Sequence, residues 1–262
     1  MIELKSMRAG YGSEEILHDL SFTFESGKNY CILGPNGCGK TTLLRAMAGL
    51  IPHKGEVLID GQRVESMKRR KIASKIAVMS QINTLYFPYT IYDTVMLGRY
   101  QHINRFSAGA SEEDRRVVDR CLEMTGLVGL QNRMVDELSG GQLQRVFLAQ
   151  TLAQEPDTIL LDEPTNHLDI RHQIDLIEYL KGWTADGRHS VIGVMHDINL
   201  ALRLTDETVF LKDGRLAGAG RFQRVATKPF LNSIFDMDIS AYMLDALEKW
   251  KTISDTSSSE KP

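Results

Sequence analysis

Three short stretches of this chain combine residue types that could do phosphate chemistry. The first is Gly34-Pro35-Asn36-Gly37-Cys38-Gly39-Lys40-Thr41, with Thr42 following. Glycines at this spacing let a backbone wrap an anion with its N–H groups, and the lysine supplies a cation for the β- and γ-phosphates. The Thr41 hydroxyl suits a hard divalent cation such as Mg²⁺. The second stretch is Thr158-Ile159-Leu160-Leu161-Asp162-Glu163, an apolar run that ends in two carboxylates. Asp162 could hold the cation, and Glu163 could polarise an attacking water as a general base. Alone, such a run is also an ordinary strand end; behind a phosphate loop it gains force. The third is Leu138-Ser139-Gly140-Gly141-Gln142. Its two glycines admit another backbone closely, and a helix starting there would aim its positive dipole end at an anion. The chain thus carries two phosphate-binding elements about a hundred residues apart.

These residues need elements that hold them in place. Asn29 to Leu33 reads as a buried strand running into the first loop, and Leu43, Leu44, Met47 and Ala48 continue at helical spacing. Thr158 to Leu161 and Ser190 to Met195 are uninterrupted apolar runs, as expected of strands covered on both faces. The alternation predicts the α/β class with a mainly parallel sheet. Val57 to Gly61 predicts a strand entering a tight turn. Asp213-Gly214 predicts a hairpin between Val209-Phe210-Leu211 and Leu216-Ala217, which adds an antiparallel β portion. From about Ile82 to Leu152 strand-like runs disappear. Ser111-x-x-Asp114 resembles a capping box ahead of Val117, Val118, Cys121 and Leu122. The expected organisation is one domain over 1–253. Its α/β core occupies about 1–81 and 153–225, with an inserted helical sub-lobe at 82–152 and an extension at 226–253. A serine-rich tail from 254, without large apolar residues, is expected to be disordered.

Taken together, the three motifs resemble the nucleotide-binding subunit of the ABC transporter family over about residues 1–225. The resemblance implies a P-loop NTPase core that binds ATP with Mg²⁺ and hydrolyses it. It implies that Asn36, Gly37, Cys38, Gly39, Lys40, Thr41 and Thr42 surround the phosphates, and that Asp162 and Glu163 serve as cation ligand and base. By the same resemblance, Ser139, Gly140, Gly141 and Gln142 act on ATP held by a second copy of the chain. Two copies then clasp two ATP molecules head to tail. Tyr11 matches the aromatic that stacks on adenine, though it also fits a core or turn position. Gln81, after Ile76-Ala77-Val78-Met79, matches the glutamine that touches Mg²⁺ and the attacking water; otherwise it is a surface amide. His196, ahead of Asp197, matches the histidine that contacts the γ-phosphate, where a lone strand-end histidine is otherwise structural. Asp169, in Asn166-His167-Leu168-Asp169, matches a segment crossing the dimer interface and equally fits a helix cap.

Phe87 to Tyr100 resembles the corresponding region of ATPases from iron-siderophore, haem and cobalamin importers. The resemblance implies a surface, including Arg99, that receives the coupling helix of a membrane subunit; the plainer alternative is that these residues only pack the sub-lobe. No apolar run approaches the roughly 18 residues that span a bilayer. The implied system therefore needs polytopic permease subunits and an extracytoplasmic substrate-binding protein, with this chain peripheral on the cytoplasmic face of the membrane. A net charge of −3 over 262 residues offers no general attraction for nucleic acid. Three cysteines, an odd count without paired spacing, argue against a disulfide framework and fit a reducing compartment. Cys38, beside Lys40 and near a helix N-terminus, is expected to be a reactive thiol, the alternative being a thiol packed behind the loop and inert. The alternatives left open are a non-transport ATPase of the family, such as one assembling iron–sulfur clusters, and transport of another substrate in either direction.

Overall fold

The computed structural model describes residues 1–79, 89–103, 109–165 and 168–256. The chain opens with the antiparallel pair β1 (Ile2–Tyr11) and β2 (Glu14–Phe24). β3 (Tyr30–Leu33) runs into the glycine-rich loop and then into α1 (Lys40–Met47). β4 (His53–Ile59) and β5 (Gln62–Arg63) turn at Asp60 and Gly61, whose φ angles of 50° and 76° suit an Asp-Gly hairpin. α2 (Arg69–Ala73), capped by Lys68, exposes Arg69, Arg70 and Lys71, and β6 (Ile76–Met79) follows.

Among the described residues that follow are the α-helices α3 (Ile91–Met96), α4 (Glu112–Met124) and α5 (Gly140–Ala153). The chain then alternates through β7 (Thr158–Asp162), α6 (Ile170–Thr184), β8 (Ser190–Val194), α7 (Ile198–Leu204) and β9 (Glu207–Lys212). It ends with β10 (Arg215–Gly220), α8 (Phe222–Val225), α9 (Lys228–Phe235) and α10 (Ile239–Thr256). α10 extends past residue 253, into the start of the serine-rich tail. No glycine or proline interrupts it, and Lys249 pairs with Asp245 one turn away at 2.6 Å.

Among the described residues the strands form two sheets. The larger has the order β10-β9-β3-β8-β7-β6, parallel except for the β9–β10 hairpin at Asp213-Gly214. The smaller is antiparallel, in the order β2-β1-β4-β5. This is the expected mainly parallel α/β core with an antiparallel portion. The buried runs have a simple cause. In β3, Cys31 and Leu33 face one core while Tyr30 and Ile32 face the other; in β7, Ile159 and Leu161 are set against Leu160 in the same way. Both faces of the sheet are covered, so both sets of alternating positions must be apolar.

The α3–α5 group shares the first core through Val95, Val118, Cys121, Val146 and Ala149. α4 begins in a complete capping box: the Asp114 N–H donates to Ser111 Oγ at 3.1 Å, and the Ser111 N–H to Asp114 Oδ2 at 2.9 Å. Arg99 corrects an expectation. It is only 3% exposed and donates to Asp114 Oδ1 at 2.9 Å, Ala153 O at 2.8 Å and Glu155 Oε2 at 2.7 Å. Arg99 ties α4 to the end of α5 and is no accessible docking group, because a guanidinium with three internal acceptors gains more from them than from water. No described helix is long and apolar enough to cross a membrane.

Candidate functional site

The glycine-rich loop must turn sharply between the end of β3 and the start of α1. A side chain at Gly34 would overlap the Leu211 carbonyl, and its φ is 156°. Gly39, at φ 100°, is the N-cap of α1; a Cβ there would lie 2.5 Å from Leu17 Cδ2. These contacts press the loop against β9 and β2, so only glycine fits. The Lys40 side chain folds back over the loop, and its Nζ donates to Gly34 O at 2.8 Å and Pro35 O at 2.9 Å. That arrangement places a cation and the N-terminus of α1 around one concavity, which is what a polyphosphate needs.

A cleft of about 400 Å³ lies over this loop. Asn36, Gly37, Gly39, Lys40, Thr41, Thr42, Glu163 and His196 line it, together with Ile16 from β2. The acids come from β7. Thr41 Oγ1 donates to Asp162 Oδ1 at 2.8 Å. Burial raises the Asp162 carboxyl above its ordinary range, offset in part by the Thr41 hydrogen bond, while the neighbouring Glu163 charge raises it further. A hydroxyl and a carboxylate this close are hard oxygen donors. With other positions left to phosphate and water, they fit Mg²⁺ better than a closed protein cage would. Glu163 Oε1 lies 2.7 Å from His196 Nε2, which sits just past the end of β8. A cleft of about 450 Å³ elsewhere, near Leu50, His53, Glu65 and Arg69, has no phosphate-wrapping loop.

Other expected residues fall outside this cleft. Tyr11, at the end of β1, is exposed and its hydroxyl accepts from Arg45 Nη1 at 3.1 Å; Ile16 lines the cleft where Tyr11 does not. Cys38 is buried in the core behind the loop. Burial pushes its thiol up against the opposing pull of Lys40, so the expected reactive cysteine is not found. Desolvation of a thiolate there outweighs the nearby positive charge. Gln81 and the pair Asn166 and His167 lie outside the described residues.

Ser139 to Gln142 open α5 away from the cleft. Ser139 is the N-cap, with a capping box to Gln142: the Gln142 N–H donates to Ser139 Oγ at 3.4 Å, and the Ser139 N–H to Gln142 Oε1 at 3.1 Å. The His172 ring lies against Gly141, 2.8 Å from where a Cβ would stand. His172 in turn bonds Asp169, the N-cap of α6, at 2.8 Å. Asp169 is therefore a helix cap here, joined through His172 to the Ser-Gly-Gly turn. The site thus splits into two parts. One holds the phosphate loop, both acids and the histidine. The other is an exposed helix N-terminus whose own residues, Ser139 to Gln142, include no acid–base group.

Two glutamines carry structure that no motif announces. Gln144 Nε2 donates to Pro164 O at 2.7 Å, and Gln173 Nε2 reaches Thr165 O and Leu168 O, both at 3.2 Å. Glu163 itself has a φ of 54°, a left-handed backbone that costs about 1–2 kcal/mol for a residue with a Cβ.

Comparison with known proteins agrees with this geometry. A family model described as ABC transporter matches residues 17–166. The petrobactin import ATP-binding protein YclP of Bacillus subtilis is 36% identical over 94% of this chain and 96% of its own length. The ferric enterobactin transport ATP-binding protein FepC of Escherichia coli is 35% identical over 89% of this chain and 86% of its own. Among solved structures, an inward-facing ABC transporter assigned to the metal-chelate type superposes with a TM-score of 0.78 at 26% identity, covering 90% of this chain and 89% of that one. A dimeric ATP-binding cassette in a post-hydrolysis state with ADP and Pi bound gives 0.73 at 30% identity, covering 84% and 98%.

Proposed function

The chain belongs to the ABC transporter family, and from that membership we propose that it is the ATPase that powers import of a metal chelate through a separate membrane permease. The observation that carries the catalytic part is the shared cleft. Lys40 and the loop, Thr41 and the Glu163–His196 pair all face the same space, and Asp162 accepts from the Thr41 hydroxyl at its edge. In this reading the loop N–H groups and Lys40 hold the phosphates of ATP. Thr41 and Asp162 would hold Mg²⁺, which supplies charge neutralisation on the phosphates when bound. Glu163 accepts the proton of the attacking water. His196, at hydrogen-bond distance from Glu163, orients that carboxylate and faces the γ-phosphate.

The second half of the site supports a dimer. Ser139 and Gly141 lie outside the cleft of their own chain, and the cassette similar to this one is dimeric. A second copy brings its Ser139 to Gln142 over the ATP of the first. Closure is then a population shift, driven by nucleotide that binds the closed state better. The substrate class is inferred from relatives named for petrobactin and ferric enterobactin and from the resemblance of Phe87 to Tyr100. The same reading implies polytopic permease subunits, an extracytoplasmic substrate-binding protein and a peripheral position on the cytoplasmic face of the membrane.

Reconstitution tests this. The chain is combined with its permease in vesicles, and ATP-dependent uptake of ferric siderophore, haem and cobalamin is measured. Uptake of one of them, abolished by Glu163→Gln, is expected. Co-purification with soluble cluster-assembly proteins alone, and no permease, contradicts the transport reading while leaving the ATPase intact.

A further inference from the structure

Glu163 occupies a backbone conformation that its own neighbours disfavour. Its φ of 54° crowds the β-carbon against the following carbonyl. Pro164 adds to this, because a proline ring pushes the preceding residue toward extended backbone. Such a conformation persists only where the surrounding structure over-determines it.

Hydrogen bonds bracket it on both sides. Upstream, the Glu163 N–H donates to Val194 O at 3.1 Å and carries the β7–β8 ladder past Asp162. Downstream, Pro164 O accepts from Gln144 Nε2 at 2.7 Å. Gln144 is 7% exposed and stands on α5, about a turn and a half after the Ser139 cap. The next carbonyl, that of Thr165, accepts from Gln173 on α6. The peptide after the general base is therefore held by a side chain from the helix that begins with Ser-Gly-Gly. A buried amide donor that lost this acceptor would bear the full cost of desolvation, so the bond resists sliding.

We propose that Gln144 is a positioning residue for Glu163, which transmits the seating of the Ser139–Gln142 turn on the partner's nucleotide to the general base of its own chain. When the N-terminus of α5 is fixed against phosphate, Gln144 fixes the Pro164 carbonyl and with it the left-handed turn that aims the Glu163 carboxylate. When α5 is unseated, that turn is free to relax toward the extended form Pro164 favours, and the carboxylate swings away from the attacking water. Each hydrolytic site thereby senses the neighbouring one through an element it already contains. The proposal rests on the reading of Glu163 as the base and of Ser139 as a partner-facing group.

Gln144→Met keeps the length and removes the donor. In the full-length chain, kcat for Mg-ATP hydrolysis should fall roughly ten- to hundredfold, as expected for misplacing a reacting group. KM, and the dissociation constant of a fluorescent ATP analogue, should stay within about twofold, since the phosphate loop is untouched. Gln144→Glu gives an independent reading even if the methionine variant folds poorly. Its carboxyl can donate to Pro164 O only when protonated, and burial beside a carbonyl raises its pKa. Its kcat relative to wild type should therefore rise as pH is lowered from about 8 to about 6. Wild-type kcat in Gln144→Met, a raised KM with unchanged kcat, or a Gln144→Glu profile parallel to wild type overturns the proposal. Glu163→Gln is assayed alongside. If it turns over normally, the general-base reading falls and takes this one with it. If it is inactive while Gln144→Met is normal, only the role of Gln144 falls.

Discussion

At the scale of single residues, Cys38 shows how a local reading of charge can lose to burial. Lys40 and the α1 N-terminus both favour a thiolate, and both are visible in the motif. The packing of the thiol into the core behind the loop is not, because it depends on Leu17 and Leu211 from distant strands. Burial pushes the Cys38 thiol up against the opposing pull of Lys40 and so disfavours the thiolate. Maleimide should therefore label Cys38 in the native chain at least about tenfold more slowly than in urea. Rapid native labelling, slowed by Mg-ATP, would restore the reactive-loop reading. Thr41, Asp162 and Glu163 were legible because each sits at a fixed place in a motif. Ile16 was not, since it reaches the cleft from the facing strand β2. Asp162 carries the metal reading. Asp162→Asn keeps the Thr41 contact in shape but removes a charged ligand. Nucleotide affinity measured by fluorescence should then no longer increase on adding Mg²⁺, while affinity without Mg²⁺ stays near wild type. A retained Mg²⁺ effect contradicts the assignment.

At the scale of elements, continuous apolar strands and Asp-Gly turns were readable because they follow simple periods. β1 was not. Its buried residues Ile2, Leu4, Met7 and Ala9 step out of alternation at Ser6, whose φ of 46° marks a bulge. The α3–α5 group depends on one polar tie that no motif announces. Arg99 is buried against Asp114, so Arg99→Ala should destabilise the chain by about 3–5 kcal/mol through the unpaired carboxylate it leaves. Chemical denaturation measures this; a loss under about 1 kcal/mol contradicts it. Asp114 also gives a pH dependence. Burial pushes its carboxyl up, but the hydrogen bonds from Ser111 and the Arg99 charge overcome that and hold it below the usual range. A depressed folded-state pKa stabilises the fold above the unfolded value and is lost as pH falls through the folded one. Stability of the wild type should therefore drop on acidification below the ordinary aspartate value of 3.8 more steeply than that of Asp114→Asn. Equal slopes would show that Asp114 contributes nothing to acid sensitivity.

At the scale of the molecule, the proposed function divides labour between two copies of one chain. The cleft is lined by the loop, Glu163 and His196, with Asp162 held to Thr41, and the Ser139 turn lies outside that lining with its own hydrogen bonds satisfied in a capping box. Hydrolysis should therefore require a partner, and blocking hydrolysis should trap the pair. Glu163→Gln removes the proton acceptor while leaving Lys40, Thr41 and Asp162 to bind nucleotide, so it should lower turnover by roughly 10²–10⁴ or more. On gel filtration it should run at twice the monomer mass with ATP and as a monomer without it. The most direct measurement places one cysteine at each half of the proposed shared site. In the Glu163→Gln background, Asn36→Cys and Ser139→Cys are introduced into the same chain and treated with a short bifunctional maleimide. The expected product is an intermolecular link between the two introduced thiols, position 36 of one copy to position 139 of the other. Mass spectrometry should find it with ATP and not without it. Cross-linking confined within one chain, or independent of nucleotide, would contradict the claim that each ATP is completed by the partner.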